Sequence, residues 1–153
     1  MKRYFLLLAI AAGLTTTSFA QHAEHKEKEE KESKKKTEVP AAVKESFAKQ
    51  FPGTTAKWDK EDGKYEAGFK HMGHEMSALF EGNGTMTESE MEIKVSELPV
   101  SVVNYAKEHH KGATIKEAAK ITKANGEINY EAEVKGMDLI FDANGKFLKE
   151  VKD

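Results

Sequence analysis

The second half of this chain repeats a pattern found in the first half, and this duplication constrains the fold more than any other feature. Four short segments recur in the same order, which indicates two copies of one structural unit. The first two pairs are each separated by 59 residues, and the later offsets of 65 and 61 require small insertions in loops. The matched pairs are Val39-Pro40 with Leu98-Pro99, Gly53 with Gly112, Tyr65-Glu66-Ala67 with Tyr130-Glu131-Ala132, and Phe80-Glu81-Gly82-Asn83-Gly84 with Phe141-Asp142-Ala143-Asn144-Gly145.

Each copy begins with a segment typical of an amphipathic helix. Pro40 suits a first helical turn, and Val43, Phe47 and Phe51 recur on one helical face before Pro52-Gly53 ends the run. The corresponding stripe of the second copy is Val102, Ala106 and His110, closed by Gly112. We therefore predict one core-facing helix at the start of each copy.

Alternating apolar and polar residues follow each predicted helix. Tyr65, Ala67 and Phe69 alternate with polar or small residues, as half-buried strands do, and Asn83-Gly84 is a strong turn signal. The second copy repeats both features. The sequence thus predicts an α+β fold made of two tandem helix-plus-four-strand repeats. We expect these to form a continuous or edge-joined antiparallel sheet with both helices packed on one face.

Residues 1–20 have the pattern of a secretion signal. Lys2 and Arg3 precede an apolar run that is too short to span a bilayer, and Ser18-Phe19-Ala20 supplies small residues for cleavage between Ala20 and Gln21. Residues 21–38 contain six Lys and six Glu and form a charged, disordered linker in this interpretation. Repeat 1 then covers residues 39–97 and repeat 2 covers residues 98–153. We expect a periplasmic or secreted protein with no membrane span after cleavage.

Composition excludes several function classes. The chain has no cysteine, so neither a disulfide nor a lipid-attachment cysteine is available. The chain has 24 basic and 26 acidic residues, and removing Lys2 and Arg3 with the signal leaves a net charge of −4. Nucleic acid is therefore not an expected partner, because binding a phosphate backbone needs a basic surface.

The repeated proline, glycine, Tyr-Glu-Ala and Phe-Asp-Ala-Asn-Gly-Lys segments resemble the PepSY-like proteins of bacterial periplasms, which are grouped with the β-lactamase inhibitor protein fold. The resemblance covers roughly Val39 to Asp153. It implies tandem units of a helix and a four-stranded sheet, whose sheet face binds a protein partner. It also implies a binding or inhibitory module and supplies no catalytic residues.

The histidines are the residues that come nearest to a chemical site. His71 and His74 flank a two-residue turn and should form an opposed cross-strand pair, which gives an alternative hypothesis of a copper, nickel or zinc buffer or sensor. A transition-metal site normally needs further ligands, so exposed histidines at a hairpin tip are the preferred interpretation. No catalytic motif is found, and we predict a non-enzymatic protein without a cofactor.

The preferred hypothesis is a protein-binding face on the side of the sheet away from the helices. Leu79 and Ile140 occupy equivalent outward positions of the two copies and are expected to be exposed there. A polar rim would surround them, and Trp58 either joins this face or lies in the core. The rim residues are Glu66, Lys70, Glu131 and Lys135. The expected partner is an envelope or secreted protein, such as a peptidase or another enzyme.

Overall fold

The computed structural model describes residues 37–152, so the predicted signal peptide, its cleavage site and nearly all of the charged linker lie outside the described residues. The element order repeats along the chain. In sequence order the elements are α1 (Ala41–Gln50), β1 (Lys57–Glu61), β2 (Lys64–His71), β3 (His74–Phe80), β4 (Met86–Ile93), a short 3₁₀ helix (Val95–Glu97), α2 (Val100–His109), β5 (Glu117–Lys123), β6 (Ile128–Glu133), β7 (Met137–Asp142) and β8 (Phe147–Lys152).

The eight strands of residues 37–152 form one antiparallel sheet in the order β1 to β8. The two repeats therefore share a continuous sheet, joined where β4 pairs with β5. Tight hairpins connect neighbouring strands within each copy. Met72 and Gly73 between β2 and β3 both have positive φ angles, of 49° and 89°, as a type I′ turn requires. Lys135 and Gly136 adopt the same backbone conformation between β6 and β7, with φ angles of 57° and 74°.

An aromatic cluster joins α1 to the first four strands. The ring of Phe47 lies 5.0 Å from Phe69 and 5.4 Å from Trp58, both in edge-to-face geometry. Phe80 is fully buried beside them, and Val43 contributes an aliphatic contact from the previous turn of α1. The predicted apolar stripe of this helix is therefore its buried face, and burying such aromatic rings contributes much of the packing energy.

A second cluster joins α2 to the last four strands. Val102 and Ala106 of the helix pack with Leu139 and Phe141, and all four are buried. Directly paired residues of neighbouring strands lie on the same face of a sheet. Following the pairing from β3 through β4 to β5 places Ala78 of the first cluster and Ala118 of the second on the same face. We call the opposite side the outward face.

The two helices end in the same way. Phe51 and His110 occupy the C-cap positions of α1 and α2, with φ angles of −127° and −118°. Each cap N–H donates to a carbonyl four residues earlier, in Phe47 and Ala106. The imidazole Nε2 of His110 also lies 3.6 Å from the Glu150 carboxylate. In the described part of the chain, neither helix exceeds ten residues, about half of what is needed to cross a bilayer.

One glycine turn in each copy docks against the start of a helix. Gly84 has a φ of 88°, and a Cβ at this position would lie 2.5 Å from the Ala42 carbonyl oxygen. Gly145 has a φ of 75°, and a Cβ there would collide with the Ser101 hydroxyl. That hydroxyl donates a hydrogen bond of 3.1 Å to the Asn144 carbonyl oxygen. The positive φ angles and these close contacts explain why a glycine occupies this turn in both copies.

Candidate functional site

The outward face is defined by the residue pairing of the strands. Glu66 of β2 pairs with Leu79 of β3, which pairs with Glu88 of β4. The adjacent residues Ala67 and Ala78 belong to the aromatic core. Since consecutive strand residues point to opposite sides, Glu66, Leu79 and Glu88 lie on the outward face.

The same reasoning places residues of the second copy on this face. Glu90 of β4 pairs with Ile121 of β5, and Ala119, two residues earlier on β5, pairs with Glu131 of β6. Glu131 pairs in turn with Ile140 of β7. Leu79 and Ile140 therefore lie on the same face of one continuous sheet, on either side of the junction between the two copies.

A small apolar patch occupies the middle of the outward face. Ala119, Ile121 and Ile140 are only 3 %, 6 % and 5 % exposed, although they belong to neither helix-side core. The expected exposure of Ile140 is thus wrong, because this side chain is buried although it lies on the outward face. Leu79 is half-buried.

Two residues of the predicted binding face lie elsewhere in the structure. Trp58 pairs with Ala67 and contacts Phe47 at 5.4 Å, so it belongs to the core under α1. Lys135 occupies the turn after β6, where its positive φ diverts the side chain, and its ammonium group donates to the carbonyl oxygen of Lys111 beyond α2. We therefore remove both residues from the candidate face.

The remaining rim residues are on the outward face. Lys70 pairs with Glu75 across β2 and β3, and its Nζ lies 3.5 Å from that carboxylate. Both side chains of this ion pair are largely exposed, so it contributes little to stability. Glu66 and Glu131 are half-buried. The candidate face thus consists of a buried apolar middle with carboxylates close around it.

Glu90 is the most unusual residue of the outward face. It is only 7 % exposed, and its Oε1 is the one buried side-chain oxygen or nitrogen in residues 37–152 without a hydrogen-bond partner. Burial raises the pKa of its carboxyl group well above the usual range for glutamate, and four surrounding carboxylates raise the pKa further. These four belong to Glu131, Glu88, Glu66 and Asp138. We refer to Glu90 and these four residues as the carboxylate cluster.

Opposing effects act on the pKa of Glu88, which lies at the edge of the carboxylate cluster. Burial raises the pKa of its carboxyl group, but the positive charges of Lys123, Lys149 and Lys64 oppose that rise. The strongest charges acting on Glu90, in contrast, are all negative. Negative charge is therefore concentrated around Glu90 in the middle of the face.

Sequence reasoning missed Glu90 as a site residue. Glu88, Glu90 and Glu92 alternate with Ser89, Met91 and Ile93, which is the pattern of a strand with one polar face. That pattern predicts the strand β4 correctly, but it also predicts that the glutamate side chains are exposed to solvent. Only Glu90 of the three is buried, and it lies beside β5, which belongs to the second copy.

His71 and His74 are directly opposed across the β2–β3 hairpin. Their contacts differ, however. The Nδ1 atom of His71 lies 3.3 Å from the Thr54 hydroxyl, whereas Nδ1 of His74 lies 3.3 Å from the backbone oxygen of Glu92. Across residues 37–152, no group of three or more His, Asp or Glu side chains is arranged to hold a metal ion. The histidine hypothesis therefore receives no support from this arrangement.

Comparison with solved structures identifies the fold. The chain is 15 % identical to a protein of Bacteroides eggerthii described as a putative periplasmic protein, with a TM-score of 0.67 over 74 % of this chain and 88 % of the other. A DUF2874 family protein of Bacteroides uniformis gives 18 % identity and a TM-score of 0.65 over 73 % and 88 % of the two chains. A BLIP-like protein of Bacteroides fragilis gives 22 % identity and a TM-score of 0.58 over 74 % and 86 %.

Comparison with family profiles agrees with the duplication. No curated protein matches the chain. Two overlapping stretches, residues 8–86 and 63–149, match one family profile, so the profile covers the chain twice. The resemblance indicated by the repeated segments is therefore confirmed, and the chain belongs to the family described as putative beta-lactamase-inhibitor-like, PepSY-like.

Proposed function

We propose that this protein is an exported, non-enzymatic binding module whose outward face docks onto another protein of the cell envelope or its surroundings. The observation that carries the proposal is the asymmetry of the sheet. α1 and α2 both contribute to cores on one side, and the other side presents the half-buried Leu79 and the carboxylate cluster above a buried apolar patch. Interfaces commonly combine such an apolar centre with a polar rim.

Family membership supports this proposal in two ways. The family description refers to inhibitor-like proteins, and inhibitors of enzymes act by binding a protein surface. One similar structure is described as BLIP-like and another as a putative periplasmic protein. Export through the predicted signal peptide, with cleavage between Ala20 and Gln21, would deliver the module to that compartment.

The proposal is tested by altering one residue on each side of the molecule. Leu79→Glu places a charge on the outward face, while Val100→Glu places the same charge at an exposed position of α2, where the valine is 74 % exposed. Proteins that bind the purified module in an envelope extract are identified by mass spectrometry. The partner is then purified, and its dissociation constant is measured with each variant.

We expect Leu79→Glu to weaken binding of the reconstituted partner about tenfold or more, because it inserts an unpaired charge into the interface. Val100→Glu should leave the dissociation constant unchanged. Circular dichroism and thermal unfolding confirm that both variants fold. Equal binding by the wild-type protein and a folded Leu79→Glu variant would contradict the proposed face.

A further inference from the structure

We propose that the carboxylate cluster is a recognition site for an arginine-bearing segment of the partner protein. This inference rests on the proposed function, because it assigns a chemistry to the same face. It is carried by Glu90, a buried carboxyl group whose Oε1 has no hydrogen-bond partner in residues 37–152. A buried polar atom without a partner costs free energy, which a donor from outside the chain would recover.

The position of Glu90 relative to the elements leaves its side of the sheet open to a partner. The helices of the described part pack into the two cores on the opposite face. The direct cross-strand neighbours of Glu90 are Ser77 and Ile121, and the next residue along this row is Gly68, which has no side chain. Ser77 has the one hydroxyl donor among these three neighbours, and Oε1 of Glu90 makes no hydrogen bond with it.

The charges around Glu90 determine what can bind there. All eight strands of the described residues present charged side chains to this face, and the carboxylates outnumber the lysines. The lysines are Lys57, Lys64, Lys70, Lys123 and Lys149, and the acidic residues around Glu90 are Asp59, Glu66, Glu75, Glu88, Glu92, Glu117, Glu131, Glu133, Asp138 and Asp142. Lys70 lies 3.5 Å from Glu75, and Lys123 lies 3.0 Å from Glu127, so both ammonium groups already have carboxylate partners. The centre is therefore complementary to an incoming cation.

The spacing of the carboxylates favours a side-chain cation over a metal ion. Adjacent strands lie about 4.8 Å apart, so Glu66 on β2 and Asp138 on β7 are separated from Glu90 on β4 by roughly two and three strand spacings. A calcium ion needs several oxygen ligands within about 2.6 Å, which such dispersed groups do not provide. In the described part of the chain, no three of these side chains converge in that way.

Arginine fits this surface better than a compact cation does. Its guanidinium group has five N–H donors in a planar fork and is less strongly hydrated than an ammonium group, which suits a partly buried carboxylate. Adjacent basic side chains of the same segment would reach Glu131 and Glu88 on either side. Binding of the guanidinium group favours the ionised form of Glu90, so a proton held by the carboxyl group passes to the solvent as the carboxylate–guanidinium pair forms.

The first test titrates the purified, exported protein with a capped tetra-arginine peptide in a calorimeter at neutral pH. Using buffers of different ionisation enthalpy measures proton release. Glu90→Gln keeps the size of the side chain and removes the ionisable group, and Glu108→Gln at an exposed position of α2 is the matched control. We expect the peptide to bind with proton release, and Glu90→Gln to weaken binding about tenfold or more and abolish the release. Glu108→Gln should bind like the wild-type protein.

Three outcomes would overturn the inference. Equal affinity of the wild-type protein and Glu90→Gln would exclude a role for the buried carboxyl group. Equal binding of tetra-glutamate would indicate a non-specific surface. Binding of calcium chloride that depends on Glu90, without binding of tetra-arginine, would assign the cluster to a metal ion instead.

The reconstituted partner separates this inference from the proposed function. If Leu79→Glu weakens the complex while Glu90→Gln and high ionic strength leave it intact, the docking face stands and the arginine site is wrong. If neither substitution changes the complex, the proposed function itself fails. If both substitutions weaken the complex and Glu90→Gln also reduces its salt dependence, both proposals are supported.

Discussion

Glu90 and Ile121 stand directly opposite each other on β4 and β5, the two strands at which the first copy of the repeat joins the second. The equivalent of Glu90 in the second copy is Val151 on β8, which is an edge strand. The same position of the repeat therefore lies in the middle of the sheet in the first copy and at the edge of the sheet in the second. In the first unit alone Glu90 would lie on an edge strand, and joining the copies places β5 beside it, which contributes to the burial of its carboxyl group and to the unusual electrostatics of the outward face.

The pH dependence of stability should reveal Glu90. Its pKa is raised in the folded protein, so the folded state holds a proton that the unfolded state releases above about pH 4.3. The contribution of Glu90 to the free energy of unfolding is therefore present at low pH. It is lost as pH rises through the pKa of the folded state, by at most about 1.4 kcal/mol per pH unit. Over the pH range between the unfolded and folded pKa values, the free energy of unfolding of Glu90→Gln should fall less than that of the wild-type protein.

Urea denaturation at a series of pH values measures this difference. The variant and the wild-type protein should have similar free energies of unfolding in acid, and Glu90→Gln should become the more stable protein as pH rises. Glu108→Gln is the control, because its side chain is exposed on α2. Parallel pH profiles for Glu90→Gln and the wild-type protein would show that Glu90 titrates normally.

Much of the local structure could be predicted from sequence periodicity. Val43, Phe47 and Phe51 mark the buried face of α1, and Asn83-Gly84 marks a turn, because helix and turn signals depend on nearby residues. The duplication supports each of these predictions, because the same elements are expected in both copies of the repeat.

The composition of the candidate face could not be predicted fully, because it depends on features that a local sequence pattern does not contain. Trp58 lies on the short edge strand β1, where few residues fix the alternation, and only its contact with Phe47 identifies its face. Lys135 leaves the face because a positive φ at the turn redirects it. Glu90 lies at the junction between β4 and β5, and the burial of Glu90 and Ile140 is a property of the assembled sheet, which a local pattern does not contain.

The docking of the Asn-Gly turn on α2 predicts a difference between two glycines. Gly145 and Gly126 both have positive φ, of 75° and 83°, so Gly→Ala should cost about 1–2 kcal/mol at either position from backbone strain alone. A Cβ at Gly126 meets nothing, whereas a Cβ at Gly145 meets the Ser101 hydroxyl and Pro99. Gly145→Ala should therefore lose a further ~1–3 kcal/mol from overpacking.

Thermal and urea unfolding of both glycine variants check this prediction. The double variant Ser101→Ala/Gly145→Ala should recover part of the additional loss, because it removes the hydroxyl that the new methyl group meets. Equal destabilisation by Gly145→Ala and Gly126→Ala would show that the turn moves away from α2 without cost.

The aromatic cluster under α1 should dominate the stability of the first repeat. Phe47 contacts Phe51, Trp58, Phe69 and Phe80, with ring centroids between 5.0 and 6.4 Å apart. Phe47→Ala should lower the free energy of unfolding by about 3–5 kcal/mol, since it removes a buried ring and leaves a cavity. Lys49→Ala, at an exposed position of the same helix, should change it by less than about 0.5 kcal/mol. A loss below 1 kcal/mol for Phe47→Ala, read from urea denaturation, would mean that the cluster repacks.

Tryptophan fluorescence can distinguish the two faces of the sheet. Trp58 is the single tryptophan of the chain and packs on the helix side, 5.4 Å from Phe47. Its emission should therefore stay unchanged when tetra-arginine or the reconstituted partner binds. A Leu79→Trp substitution in a Trp58→Phe background moves the reporter to the half-buried outward position beside Glu66 and Glu88. That emission should shift on binding, because an incoming segment changes the solvation of the indole ring. A response from Trp58 and none from the outward reporter would place the binding surface on the helix side.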